Sequence, residues 1–270
     1  MTAGDVSFHA LRFGRSAAGY QARAGIQARM AGALLDLWGE RPAPEGVLEF
    51  GCGTGLLTRG LGDRFPGARL LATDASAGML EEARAAFAET RGPAHPDFVE
   101  QDASGGAPPA QVLVARAPHD LIAAGALVQW FPDLRRHFEF AGALSRPGGH
   151  YLVSGFGRGN FPELNALLSE PPFSYTRFPG HDPAAVEAAA VAAGWETLSL
   201  LSWEEVDVLP SSREVLRLLQ DLGSVRDPRE GGRMNRANLA YLLAEYDRRF
   251  ARAGGVSLTW KPWAALLRRN

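Results

Sequence analysis

The sequence predicts a doubly wound α/β sheet, and three observations predict it. Short apolar strands alternate with amphipathic helices. One strand runs straight into a loop with glycines at alternate positions, Val47-Leu-Glu-Phe-Gly-Cys-Gly-Thr-Gly55. Acids, Asp74 and Asp102, end the next two strands. Such alternation produces parallel strands with helices on both faces. Right-handed crossovers bring the loops after the strands to one edge, and ligands bind there, where strand order reverses.

Residues 17–39 predict a helix, because Ile26, Met30, Leu34, Leu37 and Trp38 recur near the helical period. Two prolines between Arg41 and Gly46 end it. Strands are expected at 46–50, 69–74, 97–102, 119–123 and 150–156. A helix starts at Leu56, a second spans 76–90 with Ser76 as its cap, and a third spans 134–144 before Pro147-Gly-Gly149. Residues 157–182 read as irregular apart from a short helix over 161–168. A helix at 183–193, a strand at 196–208, helices at 211–222 and 238–253 around a charged loop, and a last strand at 257–268 follow. The expectation is one domain over 1–270: a Rossmann-like seven-stranded sheet, an N-terminal helix, and a helical, lid-like insertion over 207–256 before the last strand.

Composition narrows the function classes. A chain of 270 residues, 46% hydrophobic and 21% charged, is the size of one large globular domain. A net charge of -2 gives no overall attraction to nucleic acid or a membrane surface. No basic stripe interleaved with aromatics and no Asn/Asp-Pro-Pro-Tyr/Phe segment occurs, so no nucleic-acid partner is expected. The single cysteine, Cys52, excludes an internal disulfide and fits a reducing, cytoplasmic setting. The first ten residues lack the apolar run of a signal peptide, and no apolar stretch is long enough to span a membrane. The six histidines, at 9, 95, 119, 137, 150 and 181, lack metal-ligand spacing, so no metal is expected. The absence of a Gly-x-Ser-x-Gly elbow speaks against a hydrolase. A monomer or weak dimer is expected.

Chemistry concentrates at the glycine loop. Gly51, Gly53 and Gly55 permit backbone angles that other residues avoid and let a ligand lie against the main chain. Amides at the following helix N-terminus suit a nucleotide-like group. The third glycine comes one residue too early for the dinucleotide pattern, and the Gly-Lys-Ser/Thr of a P-loop is missing. Asp74, about 20 residues past the loop, is placed to accept both ribose hydroxyls. Asp102 can accept from an adenine amino group. Glu49 would sit by a positive ligand end, or bond the loop's own amides. Thr54, Ala75, Met79 and Ala103 complete the expected cofactor-binding set. Asp74→Ala is expected to weaken ligand binding far more than the fold.

The Glu-x-Gly-x-Gly-x-Gly form resembles motif I of class I S-adenosylmethionine-dependent methyltransferases. The resemblance extends over nearly the whole chain. Phe13-Gly-Arg-Ser-Ala-Ala-Gly-Tyr20 with Gln27, Gln129-Trp-Phe-Pro-Asp133, Pro147-Gly-Gly149, Ser211–Gly223, and the Gly254–Lys261 block ending Leu-Thr-Trp-Lys are similar to the malonyl-[acyl-carrier protein] O-methyltransferases of biotin synthesis. The segment 102–120, and Trp260 in place of a more usual tyrosine, depart from that pattern. The resemblance implies S-adenosylmethionine as cofactor, malonyl-acyl carrier protein as partner, and methyl transfer to the malonyl carboxylate. Such a reaction needs no catalytic base, since a carboxylate is ionised at neutral pH. It needs donors that orient the carboxylate, and arginine serves best. The candidates are Tyr20, Arg135, Arg136, Arg226 and Arg233, with Arg229 and Arg236 in the same charged stretch. Tyr20 can equally pack the first helix on the sheet. The arginine run can equally be a solvated face, or a patch that steers an acidic carrier protein. Two other readings stay open: methylation of another small acid or natural product, and a non-catalytic S-adenosylmethionine-binding module. The intact glycine loop and Asp74 count against the second.

Overall fold

The computed structural model describes residues 25–89, 95–173, 180–221 and 235–270. Its first half contains α1 (Gly25–Trp38), β1 (Gly46–Phe50), α2 (Leu56–Arg64), β2 (Arg69–Asp74), α3 (Ala77–Ala86), β3 (Asp97–Glu100), α4 (Gln111–Arg116) and β4 (His119–Ala124). After a 3-10 turn (Val128–Trp130) come α5 (Leu134–Leu144), β5 (Ser145–Phe156), α6 (Pro162–Leu168), α7 (Pro183–Ala192) and β6 (Trp195–Ser202). The last part holds β7 (Glu205–Leu209), α8 (Ser212–Asp221), α9 (Arg236–Arg249), β8 (Ala251–Arg252), β9 (Gly255–Trp260) and β10 (Pro262–Arg269).

Among the described residues, seven strands form one sheet in the order β3-β2-β1-β4-β5-β10-β6. The first five are parallel, and β10 runs antiparallel between β5 and β6. The order reverses between β1 and β4, so the loop after β1 opens at the switch point.

The apolar runs of the strands are explained by burial on both faces. Val47, Leu70, Leu121, Leu152 and Leu266 pack under α1 and α2. Their sequence neighbours Leu48, Leu71, Ile122, Val153 and Leu267 pack on the other face, against α4, α5 and α7. Residue-by-residue alternation leaves no solvated side to the sheet centre.

Several expected boundaries are corrected. The strand expected over 196–208 is two strands, β6 and β7, which belong to different sheets. The last strand, expected over 257–268, likewise divides into β9 and β10 at Lys261. There the Lys261 carbonyl accepts from the Gly157 amide (2.7 Å), and the Lys261 amide donates to Asn160 Oδ1 (2.8 Å). In the second run Pro262, the first residue of β10, marks the break locally, whereas the first run carries no proline or glycine and divides through its tertiary partners. The insertion is therefore not purely helical: β7, β9 and β8 form a three-stranded antiparallel sheet beside α8 and α9. Val215, Leu219, Leu242, Tyr246, Leu258 and Trp260 join a core shared with Ile26 and Met30 of α1 and Phe156 of β5. The third strand stops at Glu100, and α4 occupies part of the departing segment that follows. Residues 17–24 of the first expected helix, and the charged loop 223–233, lie outside the described residues.

Gly255 opens β9 with φ +152°, and a Cβ there would lie 1.9 Å from the Leu209 carbonyl oxygen. The β7–β9 ladder thus requires glycine at this position. Gly255→Ala is expected to cost about 2 kcal/mol or more, read as a lower midpoint in urea denaturation.

Candidate functional site

Three segments meet at the C-terminal ends of β1, β2 and β3, and Asp74 ties them together. Its Oδ2 accepts from the Gly53 amide at 2.9 Å and its Oδ1 from the Ser76 amide at 2.8 Å. Its backbone carbonyl accepts from Gln101 N at 2.9 Å. The loop is also bound to β2 by Cys52 N donating to the Thr73 carbonyl, and by Thr73 Oγ1 donating to the Glu49 carbonyl. Gly51, Gly53, Asp74, Ala75 and Asp102 are half-buried, as the walls of a cleft are, whereas Thr54, Gly55, Met79 and Ala103 lie deeper.

The loop can be shaped this way only by glycine. Gly51 has φ +66°, and a Cβ would lie 2.7 Å from the Leu127 side chain, which comes over the loop from the far side of the switch point. Gly55 has φ +90°, and a Cβ would press on the Phe87 ring at 2.6 Å. Gly55 also precedes α2 without a side-chain cap bond, leaving the first helix amides for a ligand. Ser76 caps α3 by accepting from Met79 N (3.4 Å), so Met79 enters the wall at a fixed position.

Charge at the site is held out of water. Burial pushes the Glu49 carboxyl up to about 8, against the lowering pull of Thr58, and the nearby Asp74 charge adds to the rise. Burial also raises Asp74, while amides including those of Ser76 and Gly53 oppose the rise. Cys52 is buried, and burial pushes its thiol well up, which fits a packing role. Glu49 Oε2 and Thr54 Oγ1 are buried without hydrogen-bond partners. A buried carboxylate oxygen with no donor is costly unless a cation or donor meets it. Glu49 therefore does not bond the loop amides; Asp74 does, and Glu49 is left for a positive ligand end. The set fits S-adenosylmethionine: amides for the chain, Glu49 for the cationic end, Asp74 with lone pairs left for ribose hydroxyls, and Asp102 for the adenine amino group.

Sequence reasoning missed Thr58, Leu127 and Phe87. Thr58 carried a signal, lying one helical turn beyond Thr54. Leu127 and Phe87 reach the loop only through tertiary packing. Among the substrate-orienting candidates, Arg135 is exposed and pairs with Glu139 on α5 (2.8 Å). Arg136 is exposed, with its backbone carbonyl and side-chain stem against Gly105 of the loop after β3. Arg236 heads α9. Tyr20, Arg226, Arg229 and Arg233 lie outside the described residues. No group of metal-ligating side chains, and no helix long and apolar enough to cross a membrane, occurs among the described residues.

Sheet order, the antiparallel β10 and the acid-tied glycine loop define a class I methyltransferase. A methyltransferase-domain family matches residues 48–151. The YcgJ protein of Bacillus subtilis has a similar fold, with TM-score 0.60 at 16% identity over 90% of this chain and 98% of that one. The malonyl-[acyl-carrier protein] O-methyltransferase of Chlorobium phaeovibrioides is 31% identical over 266 residues, covering 96% of this chain and 95% of that protein. The Geobacter sulfurreducens protein of the same name is 29% identical over 92% of this chain and 93% of its own length. The chain belongs to the malonyl-[acyl-carrier protein] O-methyltransferase family, and membership of the class implies use of S-adenosylmethionine.

Three outcomes are expected. Asp74→Ala leaves two amides without their acceptor at about 1–3 kcal/mol each. The fold and cofactor affinity should therefore both fall, with the loss to the fold larger than the expectation of a mainly binding defect allows; urea denaturation and calorimetry check this. Glu49 has a folded value of about 8 against an ordinary 4.5, so it favours the fold at low pH and that contribution is lost as pH rises from 4.5 through 8. Glu49→Gln should accordingly raise the ligand-free melting temperature more at pH 8 than at pH 5. A cation beside Glu49 favours its charged form, so cofactor binding at pH 7 should release roughly one proton from it. Calorimetry in buffers of different ionisation enthalpy should show this release in the wild type and its loss in the variant.

Proposed function

We propose that the protein transfers a methyl group from S-adenosylmethionine to the free carboxylate of a malonyl thioester on acyl carrier protein, an early step toward biotin, in the cytoplasm. The observation that carries the reading is likeness along the whole chain, terminal blocks included, to relatives named for that activity. The cofactor supplies an already activated sulfonium methyl. A carboxylate oxygen attacks that carbon as the carbon–sulfur bond breaks; the products are a neutral methyl ester and a neutral thioether, and no proton moves.

The chain's own work is then binding, orientation and exclusion of water. Glu49 and Asp74 hold the donor in register with the loop. The half-buried glycine loop walls one side of the cleft and limits the water that reaches the reacting carbon. The insertion expected over 207–256 closes over the acyl group, and arginines in and beside it turn the carboxylate toward the methyl.

Incubation with malonyl-acyl carrier protein and methyl-labelled cofactor should give a base-labile methyl ester on the carrier. Free malonate, acetyl-carrier protein and a panel of small acids serve as comparisons. Label on the small acids but not on the carrier would replace this reading with that of a small-acid methyltransferase. Absence of label anywhere, with cofactor binding retained, would leave a binding module.

A further inference from the structure

His137 lies on α5 with its ring fully buried, directly behind the loop that follows β3. Its Nδ1 is 2.6 Å from the Ala103 carbonyl oxygen, and its Nε2 is 2.6 Å from the Tyr151 hydroxyl on β5. A carbonyl only accepts, so Nδ1 carries the ring proton and donates it. Nε2 is then the bare nitrogen and accepts from the Tyr151 O–H. Burial holds the ring neutral, pushing it down to about 4 against the opposing pulls of the Ala103 carbonyl and the Asp102 charge. Burial likewise keeps the Tyr151 hydroxyl protonated. Phe131, Phe50 and Phe138 surround the imidazole, with ring centres 4.8–5.9 Å away, so water has little room to replace either partner.

The loop is pinned from within at neighbouring positions. Gln101 Oε1 accepts from Ala110 N (2.6 Å), Gln101 Nε2 donates to the Asp102 carbonyl (2.8 Å), and Asp102 Oδ1 accepts from Ser104 N (2.8 Å). The Ala103 carbonyl, between those ties, is gripped from the α5 side by His137. Gly105 packs on the Arg136 backbone, where an added Cβ would lie 2.8 Å from the carbonyl oxygen, which keeps the loop within reach of the ring.

We propose that Tyr151 and His137 form a positioning relay that fixes the Asp102–Ala103 segment against the purine edge of the bound nucleoside. They are residues that set adenine specificity without touching adenine. The inference rests on the reading of Asp102 as acceptor for the adenine amino group. Loss of the Tyr151 hydroxyl leaves Nε2 a buried acceptor with no donor while Nδ1–H still faces the Ala103 oxygen. The ring then shifts to relieve Nε2, and its grip on the Ala103 carbonyl loosens.

The test compares dissociation constants, by calorimetry, for S-adenosylhomocysteine and S-inosylhomocysteine. The second carries a 6-oxo acceptor in place of the 6-amino donor. The wild type should prefer the adenosyl compound by at least about tenfold. Tyr151→Phe, which keeps the ring volume, and His137→Phe should bring that preference down at least about fivefold. His137→Asn restores an N–H near the Nδ1 position and should retain most of it. An unchanged preference in Tyr151→Phe, with only a lower melting temperature, overturns the relay. If Asp102→Ala collapses the preference while Tyr151→Phe does not, the relay fails and the adenine reading stands. If Asp102→Ala leaves it untouched, both fail.

Discussion

The site depends on one half-buried carboxylate. Asp74 sends one oxygen to the Gly53 amide and the other to the Ser76 amide. It thereby fastens the turn after β1 to the turn after β2, at the point where strand order reverses. Without that fastening the left-handed glycines keep only the backbone ties around Cys52, and the first amides of α2 and the cap of α3 lose their common reference. Hydrogen bonds to a charged acceptor are the strong ones, and this one is partly shielded from water. The same group that would hold the ribose thus builds the shelf on which the nucleoside would rest.

Glu49 is the complement to that arrangement. It is buried 6 residues before Gly55, with one oxygen unpartnered, and is held near neutrality by its surroundings. A protein retains such a group at a cost to its ligand-free fold. A cationic ligand end offsets the cost on arrival, so affinity and instability share one origin. On the proposed reading the two acids divide the work: Asp74 organises the backbone, and Glu49 would meet the ligand's charge.

Much of this was legible in the sequence because it is local. Strand, turn and helix around 46–64 follow from an apolar run, three glycines and a helical period, and Asp74 and Asp102 follow from their places at strand ends. What stayed hidden is tertiary. No residue near 203 announces that the chain changes sheets there, where the Trp203 amide donates to the Pro262 carbonyl; at 261 the following Pro262 was a signal left unread. Leu127 over Gly51 and Phe87 against Gly55 are contacts between elements far apart in the chain. His137 read as one scattered histidine among six until Ala103 and Tyr151 were seen on either side of it. The charged loop and Tyr20, on which substrate orientation was pinned, lie outside the described residues.

The most direct test of the central claim is a crystal structure of the complex with S-adenosylhomocysteine. The account places both ribose hydroxyls about 3 Å from the Asp74 carboxylate, with the carboxylate still bonded to Gly53 and the amino-acid end beside Glu49. A nucleoside bound elsewhere, or an Asp74 that must leave Gly53 to make room for it, would contradict the account.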